Sequence, residues 1–177
     1  MEKIIIGVSS SIAAYKTYEL TRLFVKDGYD IHIVLTENAL NLVSPLTFET
    51  LSGNPVYTQS FARERREMGH ISLKENASLL LVAPATANII GKFAGGIADD
   101  LLSTVFLSVA CPVLIAPAMN PGMYSHPAVQ ENIAKLKKWG AAFVDPSSGV
   151  VACGDEGQGR LAEIEDIFKA AKDAVKK

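Results

Sequence analysis

A parallel α/β sheet covered on both faces, the three-layer α/β/α arrangement of Rossmann-like domains, is predicted by two features of this 177-residue chain. Short runs rich in Ile, Val and Leu recur at 3–8, 31–35, 78–83 and 111–116. Each is too short for a helix and ends in small or polar residues, as strands buried on both faces do. Stretches with helical apolar spacing lie between them, and strand–helix alternation implies parallel crossovers.

The first strand begins almost at once. Met1-Glu2-Lys3-Ile4-Ile5-Ile6 has neither a basic leader nor a small-residue cleavage site, so it reads as a strand and not a signal peptide. Residues 12–27 follow with Ile12, Tyr15, Leu20, Leu23 and Phe24 at helical spacing, residues 99–110 with Leu101, Leu102, Val105, Phe106 and Val109, and residues 127–138 with Val129, Ile133 and Leu136. Ala142-Phe143-Val144 is a weaker fifth strand, and Glu163 to Val175 a closing helix with Ile164, Ile167, Phe168 and Ala171 on one face. Residues 145–160 show no periodicity, carry Gly149, Gly154, Gly157 and Gly159, and exceed an ordinary connection in length. They are expected to form a substrate lid on a single domain spanning 1–177.

Composition narrows the function. About half of the residues are apolar, the net charge is −2, and the one dense charge run, Arg63-Glu64-Arg65-Arg66-Glu67, is mixed in sign without interleaved aromatics. Nucleic-acid binding is not expected. Apolar stretches are cut by Pro84, Asn88, Pro112 and Pro117 before they reach membrane-spanning length. Two cysteines make no disulfide framework and fit reduced thiols in the cytoplasm.

Chemistry concentrates at the ends of the strands, where open α/β sheets bind ligands. Gly7 to Lys16 places Ser9, Ser10 and Ser11 at a helix start, a place for a phosphate or for simple N-capping. The segment is not Gly-x-Gly-x-x-Gly, which favours a mononucleotide over a dinucleotide. Thr36 ends the second strand, and Thr86-Ala87-Asn88 ends the third with small residues between polar ones. Each threonine alone suits a helix cap, whereas several such turns at one sheet edge suit a cofactor cradle. The fourth strand leads into Ala116-Pro117-Ala118-Met119-Asn120. His70, after Gly69, is a titratable group on a connection, for which the local residues alone favour a solvated histidine. Cys153 is a thiol among glycines, reachable or incidental. Cys111 opens an apolar run and reads as inert, His32 and His126 read as structural, and no cluster has metal-ligand spacing.

Taken in order, these residues resemble the homo-oligomeric flavin-containing cysteine decarboxylases over nearly the whole chain. The likeness rests on Ser9 to Lys16, Pro45-Leu46-Thr47-Phe48, Leu51 to Val56, Gly69-His70-Ile71, Pro84 to Asn88, Gly95 to Leu102, Pro117 to Asn120 with Met123, and Cys153 to Arg160. The resemblance implies FMN across the strand ends, its phosphate near Ser9, Ser10 and Ser11, and Thr36, Thr86, Ala87, Asn88 and Ala118 along the flavin. It implies that His70 faces substrate, that Asn120 and Met123 bind substrate, and that Cys153 completes the reaction as a proton donor. Arg160 is a candidate for the substrate phosphate. Tyr124 stands where many members of the family have tryptophan.

The implied reaction is FMN-dependent conversion of 4′-phosphopantothenoylcysteine to 4′-phosphopantetheine in coenzyme A biosynthesis, a carbon–carbon lyase activity. A cysteine carboxylate leaves no stabilised carbanion, so oxidation precedes loss of carbon dioxide and a saturating step follows. Neutral hydrogen bonds from Asn120 orient the carboxylate without strong charge pairing that opposes its loss. The family's assembly implies a homotrimer, sometimes a dodecamer, with His70 acting across an interface, and a separate synthetase that makes the substrate. A peptidyl-cysteine decarboxylase, a prenylated-flavin-forming enzyme and a non-catalytic flavin-binding regulatory subunit are the alternatives. The Cys153 motif argues against the first, the Asn120 and Cys153 motifs against the second, and the complete set of reactive residues against the third.

Overall fold

The computed structural model describes residues 1–58, 73–150 and 154–176. Five parallel strands, β1 (Lys3–Val8), β2 (Asp30–Leu35), β3 (Ala77–Ala85), β4 (Val113–Pro117) and β5 (Ala142–Phe143), form one sheet in the order β2-β1-β3-β4-β5. The order reverses between β1 and β3, which opens a crevice at their carboxyl ends. Among the described residues, α1 (Lys16–Lys26), α2 (Pro45–Ser52), α3 (Ala87–Gly95), α4 (Leu101–Ser108), α5 (Pro121–Ser125), α6 (Pro127–Lys138) and α7 (Ile164–Val175) accompany the strands. The expected three-layer α/β/α fold is therefore present.

Alternation along the strands divides the core into two. Ile4, Ile6 and Val8 of β1 turn to the side covered by Leu20 and Phe24 of α1, Phe48 of α2 and Ile167 of α7. Ile5 turns to the side covered by Ile89 and Phe93 of α3, Leu101 and Val105 of α4, and Ile133 and Leu136 of α6. Both faces of each central strand are dry, which explains the unbroken apolar runs. Gly7 admits α4 closely, since a Cβ there would lie 2.4 Å from Leu102 Cδ1.

Three expectations change. Residues 12–27 are not one helix: Ile12–Tyr15 form a 3-10 turn before α1, with Ser11 capping it by accepting from the Ala13 N–H at 3.3 Å. Ile12 and Tyr15, which fit the helical spacing, are 63% and 59% exposed and lie outside the core. The run at 111–116 becomes a strand only from Val113, after Pro112, and extends to Pro117. Residues 145–160, though without apolar periodicity, hold regular structure: β6 (Ser147–Val150) and β7 (Glu156–Arg160) pair as an antiparallel ribbon. The ribbon is held by backbone pairing and glycine, so no apolar alternation announces it.

Asp100 secures the start of α4. Its carboxylate accepts from the Ser103 N–H at 2.8 Å in a capping box, and Lys92 Nζ lies 2.7 Å from both Asp99 and Asp100. Burial opposes its charge, but the hydrogen bonds from Lys92 and Ser103 prevail and hold the carboxyl below the usual range. The stabilisation is then full above the ordinary carboxylate range and lost as pH falls through the lowered native value. Asp100→Ala is expected to cost about 1–2 kcal/mol at neutral pH, and urea melts should find the difference from wild type shrinking as the pH is lowered through the acid range.

Candidate functional site

At the carboxyl edge of β1, β3 and β4 the chain encloses a cavity of about 610 Å³. Its wall combines Ser10, Ser11, Ile12, Ala13, Tyr15 and Lys16 from the first turn, Thr86, Ala87 and Asn88 from the third strand's end, Ala118, Met119, Asn120 and Met123 after the fourth, and Val150, Gly159, Arg160 and Leu161 from the ribbon and beyond. Distant stretches of sequence meet because parallel strands deliver every β–α turn to the same edge. The size fits a small-molecule site.

Most of the predicted cofactor residues converge there, with a division of labour among the serines. Ser9 is buried and is absent from the cavity wall. Its hydroxyl donates to the Pro84 carbonyl at 2.8 Å and accepts from the Thr86 N–H at 2.9 Å, so it ties the first turn to the third. Ser9→Ala would leave both buried backbone groups without that partner, at about 1–3 kcal/mol; a Tm unchanged from wild type would refute the tie. Ser11 caps its turn, while Ser10 is exposed on the cavity wall.

The two threonines differ as well. Thr86 caps α3, accepting from the Ile89 N–H at 3.4 Å, and still lines the cavity with half-buried Ala87 and exposed Asn88. Thr36 makes no cap hydrogen bond and is not on the wall; its Oγ1 is buried with no hydrogen-bond partner among the described residues.

Asn120 is the best-positioned polar group of the wall. Its Oδ1 accepts from the Gly122 N–H at 2.8 Å, capping α5, and its Nδ2 donates to Asp155 on the approach to β7. Both ends of the amide are thereby oriented. Gly159 O accepts from the Met119 N–H at 2.9 Å, which docks the ribbon beside the same turn. Asp155 and Lys16 were not singled out by sequence, because only the folded ribbon brings Asp155 to Asn120 and only the cavity shows which way Lys16 turns. Met123 is 49% exposed on the wall. His70 and Cys153 lie outside the described residues.

The remaining reactive groups are placed more simply. Cys111 is half-buried, and burial pushes its thiol up, which keeps it protonated and supports its reading as inert. His32 bonds Asp30 at 2.9 Å, and His126 accepts from the Ala128 N–H at 3.2 Å at the start of α6. Burial, with Asp145 nearby, pushes the Tyr124 phenol up. Among the described residues no group of His, Cys, Asp and Glu is arranged for a metal.

The wall suits a flat aromatic ring bearing a phosphate. Ala13, Ala87 and Ala118 leave room against the backbone, and hydroxyls of Ser10, Ser11 and Thr86 stand at its edges. Comparisons with known proteins agree with that geometry. A model of the Flavoprotein family matches residues 1–176. The coenzyme A biosynthesis bifunctional protein CoaBC of Bacillus subtilis is 48% identical over 170 residues, covering 96% of this chain and 42% of that protein. The chain thus spans less than half the length of that relative. The probable phosphopantothenoylcysteine decarboxylase of Streptococcus mutans is 41% identical over 177 residues, covering 98% of this chain and 99% of the relative. Among solved structures, a Cys-to-Ser variant of a PPC decarboxylase complexed with pantothenoylaminoethenethiol superposes with a TM-score of 0.87 at 27% identity, covering 99% of this chain and 98% of its own. The FMN-dependent cysteine decarboxylase SpaF gives 0.83 at 29%, covering 99% and 97%. The strand-edge cavity and the match over 1–176 together place this chain in the Flavoprotein family.

Proposed function

We propose that this chain is an FMN-dependent phosphopantothenoylcysteine decarboxylase, converting 4′-phosphopantothenoylcysteine to 4′-phosphopantetheine in coenzyme A biosynthesis. The observation that carries the reading is the convergence of the serine turn, Thr86-Ala87-Asn88 and the Asn120–Met123 segment on one cavity. Full-length similarity to the Streptococcus mutans relative supports the substrate assignment.

Bound FMN supplies two-electron oxidation of the cysteinyl unit and the later return of those electrons. Ser10 and Ser11 hold its phosphate, Ser9 keeps their turn in place, and Thr86, Ala87, Asn88 and Ala118 line the ring, with the Thr36 hydroxyl as a further donor. Asn120 orients the substrate carboxylate through Nδ2, a neutral donor that fixes its direction without the charge pairing that opposes departure of carbon dioxide. Met123, Ile12 and Tyr15 exclude water from the mouth. His70 faces the substrate in proton transfer or thiolate stabilisation, and Cys153 delivers the proton that saturates the product.

The exposed apolar rim of Ile12, Tyr15, Met123 and Val150 supports assembly around the site, as a homotrimer or a dodecamer. A cytoplasmic location belongs to the same proposal, as does supply of substrate by a phosphopantothenoylcysteine synthetase, on another domain or another chain.

Anaerobic incubation of the purified protein with 4′-phosphopantothenoylcysteine, following product mass and flavin spectrum, tests the reading. Saturated 4′-phosphopantetheine with the flavin ending oxidised is expected. Bound flavin with this substrate untouched, while a peptide ending in cysteine is decarboxylated, would overturn it. Cys153→Ser is expected to release carbon dioxide but stop at the enethiol; a normal yield of saturated product would remove Cys153 from the mechanism.

A further inference from the structure

The donor that the decarboxylase reading gives to the substrate carboxylate is held by a carboxylate of the protein itself. Asn120 Nδ2 donates to Asp155 while Oδ1 accepts from the Gly122 N–H at 2.8 Å, so the amide cannot turn its oxygen to the acid without losing both bonds. Asn120 lines the cavity, whose described wall holds the cations Lys16 and Arg160 and no acid. Asp155 is exposed and reaches the amide from outside that wall. Its release does not undock the ribbon. Gly159 O keeps the Met119 N–H at 2.9 Å, and Gly157 packs so closely that a Cβ there would lie 2.9 Å from Pro121 Cβ. Both anchors lie beyond Asp155 in the chain, and before it a Cβ on Gly154 would meet nothing within 4 Å among the described residues. Asp155 can therefore leave Asn120 with β7 in place.

We infer that Asp155 is a positioning residue for the carbon–carbon cleavage: acting through Asn120 Nδ2, it opposes the bound substrate carboxylate and regains its hydrogen bond when carbon dioxide has left. This rests on the decarboxylase reading above. Nδ2 has two hydrogens and no charge, so two carboxylates drawn to it repel each other with nothing on the nitrogen to offset them. Substrate binding strains or breaks the Asp155 bond. In the cleavage the electron pair of the broken bond stays on the oxidised cysteinyl unit and carbon dioxide departs uncharged, while Asp155 exchanges neither proton nor electron. The opposition thus acts on the bound carboxylate and fades as that charge disappears, which favours the transition state over the ground state. Asp155 is exposed, so water screens the repulsion and its effect is modest.

Calorimetry on the FMN-loaded protein compares two ligands without a thiol, neither of which can react: 4′-phosphopantothenoylalanine, which keeps the carboxylate, and N-ethyl 4′-phosphopantothenamide, which lacks it. Asp155→Ala is expected to raise the preference for the carboxylate-bearing ligand about 3- to 10-fold. Asp155→Asn, which keeps an acceptor for Nδ2 but no charge, should raise it as well, and Asp155→Glu should restore the unsubstituted value. With 4′-phosphopantothenoylcysteine, KM and kcat should fall together in Asp155→Ala, the signature of removed ground-state strain. A residue that only ties down the ribbon would alter both affinities alike, so an unchanged preference overturns the inference. A lowered preference overturns it too, since Asp155 would then assist carboxylate binding. Should the unsubstituted protein bind neither ligand and leave 4′-phosphopantothenoylcysteine untouched, the decarboxylase reading falls and the inference with it; turnover with an unchanged preference sinks the inference alone.

Discussion

Gly159→Ala is expected to detach the β6–β7 ribbon from the turn that carries Asn120. An alanine Cβ at this position would lie 2.3 Å from Met119 O and 3.2 Å from Pro121 N, both backbone atoms that no side-chain rotation can move. Relief requires the ribbon to shift, which breaks the 2.9 Å hydrogen bond from Met119 N–H to Gly159 O. Overpacking of this kind costs about 1–3 kcal/mol, and the lost backbone bond about 1 kcal/mol more. At roughly 2–4 °C per kcal/mol for a domain of this size, the Tm should fall by about 5–15 °C. Gly154→Ala separates crowding from backbone strain: Gly154 has φ +91 but nothing within 4 Å of the added carbon. That variant should lose only about 1 kcal/mol. Thermal melts of both proteins, with flavin release followed in parallel, check the pair. Equal small shifts would mean that the ribbon is not docked tightly enough to shape the cavity.

Legibility in the sequence followed burial. β1, β2 and β3 were readable because two cores demand apolar residues on both faces, and α6 and α7 because each presents one apolar stripe to the sheet. α3 was missed as a helix: Asn88, Gly91 and Gly95 dilute its stripe, although Ile89, Ile90 and Phe93 are fully packed. Gly91 lies near Asn132 of α6, so a small residue there serves helix packing and hides the periodicity. Ile12 and Tyr15 misled in the opposite sense, being apolar at helical spacing but exposed at a cavity mouth. Within the site, motif order grouped Ser10, Ser11, Thr86, Ala87, Asn88, Ala118, Asn120 and Met123 on one wall. It did not separate Ser9, whose hydroxyl is spent on joining two turns, from its neighbours. Nor did it identify Asp155, whose role depends on a ribbon held by main-chain pairing that leaves no trace in side-chain pattern.

Asn120→Asp should abolish decarboxylation while loosening only the contact between the turn and the ribbon. The aspartate keeps an oxygen where Oδ1 accepts from the Gly122 N–H, so the cap on α5 survives, and the cost falls on the link to the ribbon, about 1–3 kcal/mol. The other end of the side chain loses its donor. It then sets a carboxylate against Asp155 and, in the proposed complex, against the substrate carboxylate that Nδ2 is to hold. Loss of one oriented donor costs about 10²–10³-fold in rate, and like-charge repulsion adds to it, so kcat/KM should fall by about 10³-fold or more. A purely architectural role for Asn120 predicts something different, and exchanging the two side chains discriminates between the two. In the double variant Asn120→Asp with Asp155→Asn, the amide introduced on the ribbon donates to the carboxylate introduced on the turn, restoring the link between them with its polarity reversed. Docking of the ribbon, read from thermal stability and flavin retention, should recover. Turnover should not, because the donor now resides on the wrong partner and the group facing the substrate is an anion. Recovery of kcat/KM to within about tenfold of the unsubstituted protein, far short of the loss expected for a missing donor, would reduce Asn120 to a structural pin and remove the carboxylate from its proposed position.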